Sequence, residues 1–185
     1  VLGPAASVSP LATAAYADAL REMAEQADAA GVGLDAVVVA AGAGPTQGGL
    51  ILGTKMLGLK TRIIGVNVGA YATETMKDVI LKSAEGASRL FGSPATVSRN
   101  DIIIRDEFAG KDYGIPTRAS IEAILTVAQK EALILDPVYT SKTMAGLISM
   151  IKAGEFKKDE NVCFIHTGGI PALFAYKRHF QPRRA

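Results

Sequence analysis

Apolar residues in this chain form two kinds of segment that alternate along its length. Short apolar runs at 35–41, 61–68, 101–105, 133–135 and 162–165 have the length of strands, and the continuous run 35–41 is typical of a strand buried on both faces. Between them, apolar residues recur every three or four positions, as on one face of a helix. These helical stretches run from Ser9-Pro10 to Gly31, from a glycine-rich turn to about Leu57, from about Thr73 to Phe91, after Pro116 through Ala128, and from the Tyr139 turn to about Lys152. The alternation predicts an α/β fold, with a mainly parallel sheet and helices on both faces.

Length and composition fit one globular domain. With 185 residues, 49% of them hydrophobic and 21% charged, the chain can bury one sizeable core. Its net charge is +2, and basic residues cluster only at 177–179 and Arg183-Arg184, which we interpret as a solvated terminus and not a nucleic-acid site. No apolar stretch is long enough to span a membrane. The single cysteine, Cys163, excludes an intrachain disulfide framework and lies in an apolar run typical of a buried thiol. No metal site is predicted.

The segment 136–147 carries several chemically useful side chains. It follows the apolar run 132–135 and leads into a helical stretch, so it predicts a strand end, a tight turn and a helix start. Pro137 ends the strand because it has no N–H to donate. The turn places Tyr139 and several hydroxyls at the carboxyl edge of the sheet, where ligands of open α/β sheets bind. An ordinary strand–helix turn with a helix cap fits the same pattern.

A glycine-rich turn, Gly42–Gly49, lies between the first predicted strand and the next helix. Glycines let the backbone approach an anion closely, and the free N–H groups of a helix start point towards it. Thr46 can add a hydroxyl and its own N–H. A phosphate site and close helix–strand packing both fit this turn, whereas the pattern matches neither a Walker A loop nor a clean dinucleotide fingerprint.

Four segments, in this order, resemble the D-cysteine desulfhydrase and 1-aminocyclopropane-1-carboxylate (ACC) deaminase family. They read GAGPTQGGL at 42–50, EFAGKDYGIP at 107–116, DPVYTSKTMAG at 136–146 and FIHTGGIPALFAY at 164–176. The family consists of pyridoxal-phosphate (PLP) enzymes with the tryptophan-synthase-β fold. The resemblance covers nearly the whole chain and implies PLP as cofactor and a small amino acid as substrate.

The resemblance implies a lyase that eliminates sulfide from D-cysteine and gives pyruvate and ammonia. Within the same family, an ACC deaminase and a lyase acting on a cysteate-type substrate are the alternatives. A non-catalytic module that binds PLP or another anion is an alternative of a different class. Thr140 bears on this choice, because ACC deaminases typically have Glu at its position and Leu at the position of Thr167, whereas D-cysteine desulfhydrases have Thr at both.

The resemblance also implies where the cofactor lies. The phosphate is expected on the turn formed by Ala43, Gly44, Pro45 and Thr46. The pyridine nitrogen is expected beside the hydroxyl of Thr167, and a neutral hydroxyl there makes the ring a weaker electron sink than a carboxylate would, which suits elimination. Pro45 stands where family members commonly have glycine, and proline has no N–H to offer a phosphate. Thr167 also fits a helix cap, and we interpret His166 as structural because its side chain alternates away from Thr167 along the strand.

Two tyrosines, Tyr113 and Tyr139, match family tyrosines near the reacting carbon. The resemblance implies that they handle a proton or orient the substrate. A phenol with an ordinary pKa of about 10 is a poor base at neutral pH, so the site must tune either role. A half-buried aromatic residue at a loop edge fits each position as well.

The lysine that binds PLP covalently in this family has no match in this chain. Lys55 lies nine residues after Thr46, about 13 Å along a helix and too far from the ring, and Lys142 matches a different family lysine. We therefore expect residues 1–185 to be the C-terminal, larger-domain part of the enzyme, incomplete and inactive alone. The expected N-terminal portion would carry the lysine and most of the smaller domain. The resemblance implies a homodimer, and the acidic residues among 18–25 argue against a targeting peptide and favour a cytoplasmic location.

Overall fold

A four-stranded parallel sheet forms the centre of the fold. The computed structural model describes residues 8–180, so the basic pair Arg183-Arg184 lies outside the described residues, as do residues 1–7. The strands are β1 (Ala36–Ala41), β2 (Arg62–Asn67), β3 (Ile103–Arg105) and β4 (Val162–Phe164), and their order across the sheet is β3-β2-β1-β4. Each neighbouring pair is parallel, with Val37 of β1 opposite Ile63 of β2 and Cys163 of β4.

Five α-helices accompany the sheet within residues 8–180. They are α1 (Pro10–Ala29), α2 (Pro45–Leu57), α3 (Thr73–Phe91), α4 (Arg118–Glu131) and α5 (Thr140–Lys152). Single 3-10 turns occupy Arg99–Asp101, Ile170–Phe174 and Lys177–His179. All five helices lie where the spacing of apolar residues predicts them, and α3 begins and ends at the predicted residues.

The helices cover both faces of the sheet, as the sequence predicts. All six residues of β1 are buried, and alternation along the strand sends their side chains to opposite sides. Val37 and Val39 pack in a cluster with residues of α1, α2 and α3, including Leu20, Leu50 and Ile80. On the other face, Val38 packs with β2 residues and with Leu147 and Met150 of α5. The predicted α/β fold with a parallel sheet is confirmed.

Local sequence explains where the helices begin. Ser9 and Pro10 occupy the N-cap and first position of α1, as predicted, although the Ser9 side chain makes no capping bond. Instead the Ser9 N–H donates to Ser83 Oγ on α3 at 3.0 Å. Helix α4 starts with a reciprocal cap, because Ser120 N–H donates to Thr117 Oγ1 at 3.0 Å and Thr117 N–H donates to Ser120 Oγ at 2.9 Å.

The predicted strand at 133–135 is wrong, because these residues join no ladder. Helix α4 ends at Glu131, and its C-cap residue Ala132 has a positive φ of 55° that turns the chain away from the helix axis. Leu135 is fully buried, and it packs on Ile124 and Val127 of α4. The apolar run therefore serves side-chain packing against a helix and not main-chain pairing in the sheet.

Close contact between α1 and α2 depends on two glycines of α2. A Cβ at Gly49 would lie 2.3 Å from Thr13 O and 2.5 Å from Tyr16 Cβ, and a Cβ at Gly53 would lie 2.9 Å from Ala17 O. These distances are shorter than real carbon contacts allow, so the two helix backbones can approach only where no side chain stands between them. The contact brings Tyr16 of α1 to the amino-terminal end of α2.

We predict that Gly49→Ala destabilises the protein by about 1–3 kcal/mol, the usual effect of overpacking a core. Helix propensity alone would favour alanine by about 1 kcal/mol, so a loss of stability reports the helix contact. Gly33→Ala is the matched control, because its Cβ would meet only ordinary contacts at 3.6 Å. The free energy of unfolding in urea measures both, and equal stability of Gly49→Ala and the unmodified chain would contradict the packing.

Candidate active site

The turns at the carboxyl ends of β1, β2 and β4 border one cavity of about 430 Å³. Parallel strands bring these ends to the same edge of the sheet, where open α/β folds bind ligands. The volume lies within the range of about 300–1,000 Å³ that is typical of small-molecule sites. The lining residues are Tyr16, Ala40, Gly42, Ala43, Thr46, Ala70, Tyr71, Tyr113, Tyr139, Thr167, Gly168 and Gly169.

Five of the residues singled out from the sequence meet at this cavity. They are Ala43, Thr46, Tyr113, Tyr139 and Thr167. Gly44 and Pro45 belong to the same turn as Ala43 and Thr46 but do not line the cavity, and Thr140 lies behind it. Segments separated by more than a hundred residues in sequence therefore share one small volume.

The turn after β1 presents a helix start to the cavity. Gly44 is the N-cap of α2 with a φ of 103°, and a Cβ there would lie 3.0 Å from Ile80 Cγ1 and 3.3 Å from Met76 O. Glycine is thus required both by the backbone and by the contact with α3. The N–H groups of Thr46 and Gln47 lie in the first turn of α2, where an α-helix provides no internal acceptor. A helix start of this kind attracts an anion through its N–H groups and its dipole.

Pro45 occupies the first position of α2. A missing N–H is tolerated best at that position, because the group would have no partner within the helix. The ring also fixes a φ value suited to helix entry. Pro45 therefore costs the turn one donor without disturbing its shape, and the donors that remain are the two amides after it and the Thr46 hydroxyl.

Tyr113 and Tyr139 form a pair on one side of the cavity. Their phenol oxygens are joined by a short hydrogen bond, and their rings meet edge to face with centroids 5.7 Å apart and an interplanar angle of 70°. Tyr113 comes from the loop between β3 and α4, and Tyr139 from the start of α5. Burial raises the pKa of Tyr139 above its ordinary value, and the hydrogen bond between its phenol and that of Tyr113 raises it further. Tyr139 accordingly stays a neutral phenol at neutral pH, which suits a hydrogen-bond donor and not a base.

Asp136 organises the turn that carries Tyr139. Its carboxylate is buried, and Oδ1 accepts from the N–H groups of Val138 and Tyr139, both at 2.7 Å. Oδ2 accepts from Thr140 N–H at 2.7 Å and Thr140 Oγ1 at 2.6 Å. Thr140 is completely buried in this arrangement. The predicted specificity residue therefore touches the helix cap and not the cavity, and its influence on a ligand would pass through Tyr139.

The turn after β4 packs against the same carboxylate, that of Asp136. Gly169 has a φ of 87°, and a Cβ there would lie 2.8 Å from Asp136 Cγ. Thr167, two residues earlier, is exposed to the cavity. His166 points elsewhere: its Nε2 lies 2.7 Å from Ile134 O, and its Nδ1 accepts from Gly168 N–H at 3.1 Å. These contacts agree with the interpretation of His166 as structural, because both ring nitrogens are hydrogen-bonded to backbone atoms.

None of the lysines in residues 8–180 lines the cavity. Lys55 extends from α2 to Asp101, 2.5 Å from its carboxylate. Lys142 is completely buried, and its Nζ donates to three main-chain carbonyls. Burial lowers the pKa of Lys142, and the nearby Asp112 partly offsets this.

Two tyrosines of the cavity are not among the predicted site residues. Tyr16 reaches the cavity because α1 crosses α2 at Gly49, a tertiary contact with no local signal. Tyr71 follows β2, so its position at the carboxyl end of a strand could have identified it. Its loop is held by Asn67, whose Nδ2 donates to Tyr71 O at 3.1 Å and to Asp106 Oδ1 at 2.6 Å.

The cysteine, the acidic and histidine side chains and the helices of the described residues indicate no second site beside this cavity. Cys163 is partly buried in β4, and burial raises the pKa of its thiol. Within residues 8–180, no three His, Cys, Asp or Glu side chains gather closely enough to hold a metal ion. The helices over the same residues include none with the length and apolar character needed to cross a membrane.

Comparison with known sequences gives one family and a set of related enzymes. A family model described as "Pyridoxal-phosphate dependent enzyme" matches residues 2–168. A D-cysteine desulfhydrase from Salmonella schwarzengrund is 40% identical over 177 residues, which cover 95% of this chain and 52% of that protein. A D-cysteine desulfhydrase from Salmonella newport is 39% identical over 176 residues with the same coverage. The chain thus spans about half the length of the curated relatives it matches.

Solved structures give the same picture. An ACC deaminase homologue has a TM-score of 0.81 and 34% identity, over 92% of this chain and 50% of that one. The processed form of threonine deaminase isoform 2 from Solanum lycopersicum has a TM-score of 0.54 at 16% identity, over 89% of this chain and 48% of that one. The second likeness shows the fold alone.

We predict that Tyr139 titrates well above the ordinary tyrosine value of about 10. ¹³C-tyrosine NMR across alkaline pH should resolve it among the five tyrosines of the chain. In Tyr113→Phe its pKa should fall, because the hydrogen bond that raises it is lost, yet stay above the ordinary value because burial remains. Tyr16→Phe should leave it unchanged. A Tyr139 resonance that titrates together with exposed tyrosines would contradict the geometry of the pair.

Proposed function

Since this chain belongs to the family of pyridoxal-phosphate-dependent enzymes, we propose that it is the larger-domain, C-terminal part of a lyase that eliminates sulfide from D-cysteine. The products are pyruvate, ammonia and sulfide. The observation that carries the proposal is the convergence on one cavity of a helix-start turn suited to an anion, the Thr167 hydroxyl on the turn after β4 and a pair of phenols. The 40% identity to a D-cysteine desulfhydrase supports the choice of substrate.

The residues of the cavity fit PLP. The amides of Thr46 and Gln47 and the Thr46 hydroxyl form a donor set suited to a phosphate dianion. Small residues at the base of the cavity, Ala40, Gly42 and Ala43, leave room for a flat ring. A Cβ at Gly42 would lie 3.3 Å from Tyr139 Cε1 and crowd that space. Thr167, on the turn after the neighbouring strand β4, lines the same cavity with a hydroxyl suited to a ring nitrogen.

Each residue then has a distinct task. PLP, when bound, supplies an electron sink conjugated to the α-carbon of the amino acid. Thr46 and the α2 amides hold its phosphate, and Thr167 holds its ring nitrogen without fixing a proton there. The Tyr113–Tyr139 pair has two phenol protons. One forms the hydrogen bond between the two oxygens, and the other can be donated in a hydrogen bond to the substrate. Because Tyr139 stays protonated, the pair orients the substrate and stabilises the departing sulfur by hydrogen bonding.

We further propose that the amine which binds PLP covalently comes from outside these 185 residues, in a portion of the same protein that adds the smaller domain. The absence of a lysine from the cavity wall formed by residues 8–180 supports this. The homodimer and the cytoplasmic location stay predictions. Several large apolar side chains of the described residues are exposed, Phe174 to 84%, and such side chains favour association with further protein.

Thr140 sets specificity, in this proposal, through the cap that it shares with Asp136. Glutamate at this position would place a second carboxylate against Asp136 and move the Tyr139 turn. ACC deaminase and a cysteate-type lyase remain the competing activities within the family. The non-catalytic binding module remains the competitor of another class, and the missing lysine favours it for the isolated chain.

We predict that Thr46→Ala weakens PLP binding about 10- to 100-fold, the effect of losing one hydrogen bond of about 1.5–3 kcal/mol to a charged group. Equilibrium dialysis of the 185-residue chain with PLP measures the affinity. Thr96→Ala is the control, because Thr96 is exposed in the loop before β3 and away from the cavity. Unchanged affinity in Thr46→Ala would assign phosphate binding to the backbone amides alone.

An assay with three amino acids tests the proposed activity. The protein that contains this chain, loaded with PLP, should release pyruvate from D-cysteine and turn over ACC and cysteate far more slowly. The 185-residue chain by itself should bind PLP and give no pyruvate. Turnover of ACC or cysteate without D-cysteine would reassign the substrate. Turnover by the isolated chain would overturn the proposal that the amine lies elsewhere.

A further inference from the structure

Lys142 is the largest completely buried side chain among residues 8–180. Its Nζ donates to Val68 O at 2.9 Å, to Ala109 O at 2.6 Å and to Asp112 O at 3.0 Å. An ammonium has three N–H groups, so all of its donors are used. No carboxylate in the described part of the chain forms an ion pair with it. A buried amine held only by main-chain carbonyls needs an explanation beyond the filling of space, because burying a charge is costly.

The three carbonyls belong to two segments that border the cavity. Val68 directly follows β2, whereas Ala109 and Asp112 lie in the loop between β3 and α4 that carries Tyr113. None of residues 109–117 is fully buried, so apolar packing contributes little to holding this loop. Two further side-chain hydrogen bonds link this loop to other segments: the Tyr176 phenol donates to Gly114 O at 2.7 Å, and the Tyr113 phenol is hydrogen-bonded to the Tyr139 phenol.

Gly69 also contacts the same loop closely. It has a φ of 86°, and a Cβ there would lie 3.1 Å from both Asp112 C and Tyr113 N. The loop therefore rests directly on the backbone that follows β2. Lys142 lies one helical turn after Tyr139 on α5. The first turn of α5 therefore presents the Tyr139 phenol to the cavity and also holds the loop that carries Tyr113.

We propose that Lys142 is a positioning residue that ties the Tyr113 loop to α5 and thereby brings the two phenols together. A methionine could fill the same volume but would leave three carbonyls without a donor. The role of the tie in turnover rests on the proposed lyase function, whereas the tie itself does not.

Hydrogen–deuterium exchange of Lys142→Met tests the tie. The amides of Ala109, Tyr113 and Ile115, which are hydrogen-bonded within the loop, should exchange at least about tenfold faster, since two hydrogen bonds to the loop are lost. The amides of β1 and β2 should keep their rates. Lys152→Met, an exposed lysine at the end of α5, is the matched control. Unchanged loop exchange, or equally faster exchange in the loop and in β1, would overturn the proposal.

A second variant changes the backbone on which the Tyr113 loop packs, and it tests the tie if Lys142→Met does not fold. Gly69→Ala should lift the loop, so that Lys142 becomes several-fold more reactive towards reductive methylation, relative to Lys152. Gly92→Ala is the control, because Gly92 also has a positive φ, of 60°, but nothing lies within 4 Å of its Cβ position. A Lys142 that stays equally unreactive in Gly69→Ala would refute the tie.

Turnover of D-cysteine separates this inference from the proposed function. Lys142→Met and Tyr113→Phe should each lower kcat, and the double variant should lose little more than either, because both act through one phenol. Additive losses would contradict the positioning role. An unmodified protein that fails to turn over D-cysteine would refute the lyase function and leave the exchange result standing.

Discussion

The parallel pairing of β1 with β2 on one side and β4 on the other decides where this protein can do chemistry. Because all strands run in the same direction, the turns that follow them open at one edge of the sheet. The turn after β1 supplies helix amides, the turn after β2 supplies Tyr71, and the turn after β4 supplies Thr167. A sheet buried on both faces holds these turns at fixed distances, so a small ligand meets a preformed surface.

Two buried polar side chains convert that edge into a defined cavity. Asp136 gathers four donors from residues 138–140 and leaves room only for glycine at position 169. Lys142, in the first turn of helix α5 that follows, donates to three main-chain carbonyls. Together they fix the turn of Tyr139, the loop of Tyr113 and the turn after β4. Side chains that never touch the cavity thus determine its shape.

Local sequence predicts the fold well because each helix has its own spacing and its own start and stop residues. The run 133–135 is the exception, because three apolar residues can pack equally well in a strand or against a helix. The sequence alone does not indicate that these residues pack against α4. The site divides in the same way. Residues on turns after strands, such as Thr46 and Thr167, could be found from motifs, whereas Tyr16 depends on the α1–α2 crossing. Burial of Thr140 and the three contacts of Lys142 likewise arise only when distant segments pack together.

The location of bound PLP tests the account most directly. A crystal structure of the protein with PLP should show the phosphate on the turn 43–46, at the start of α2, and the ring nitrogen within about 3.2 Å of the Thr167 hydroxyl. The two phenols should then face the substrate side of the ring. A phosphate at the start of another helix, such as α3 or α4, or a ring nitrogen turned away from Thr167, would contradict the site described for this chain.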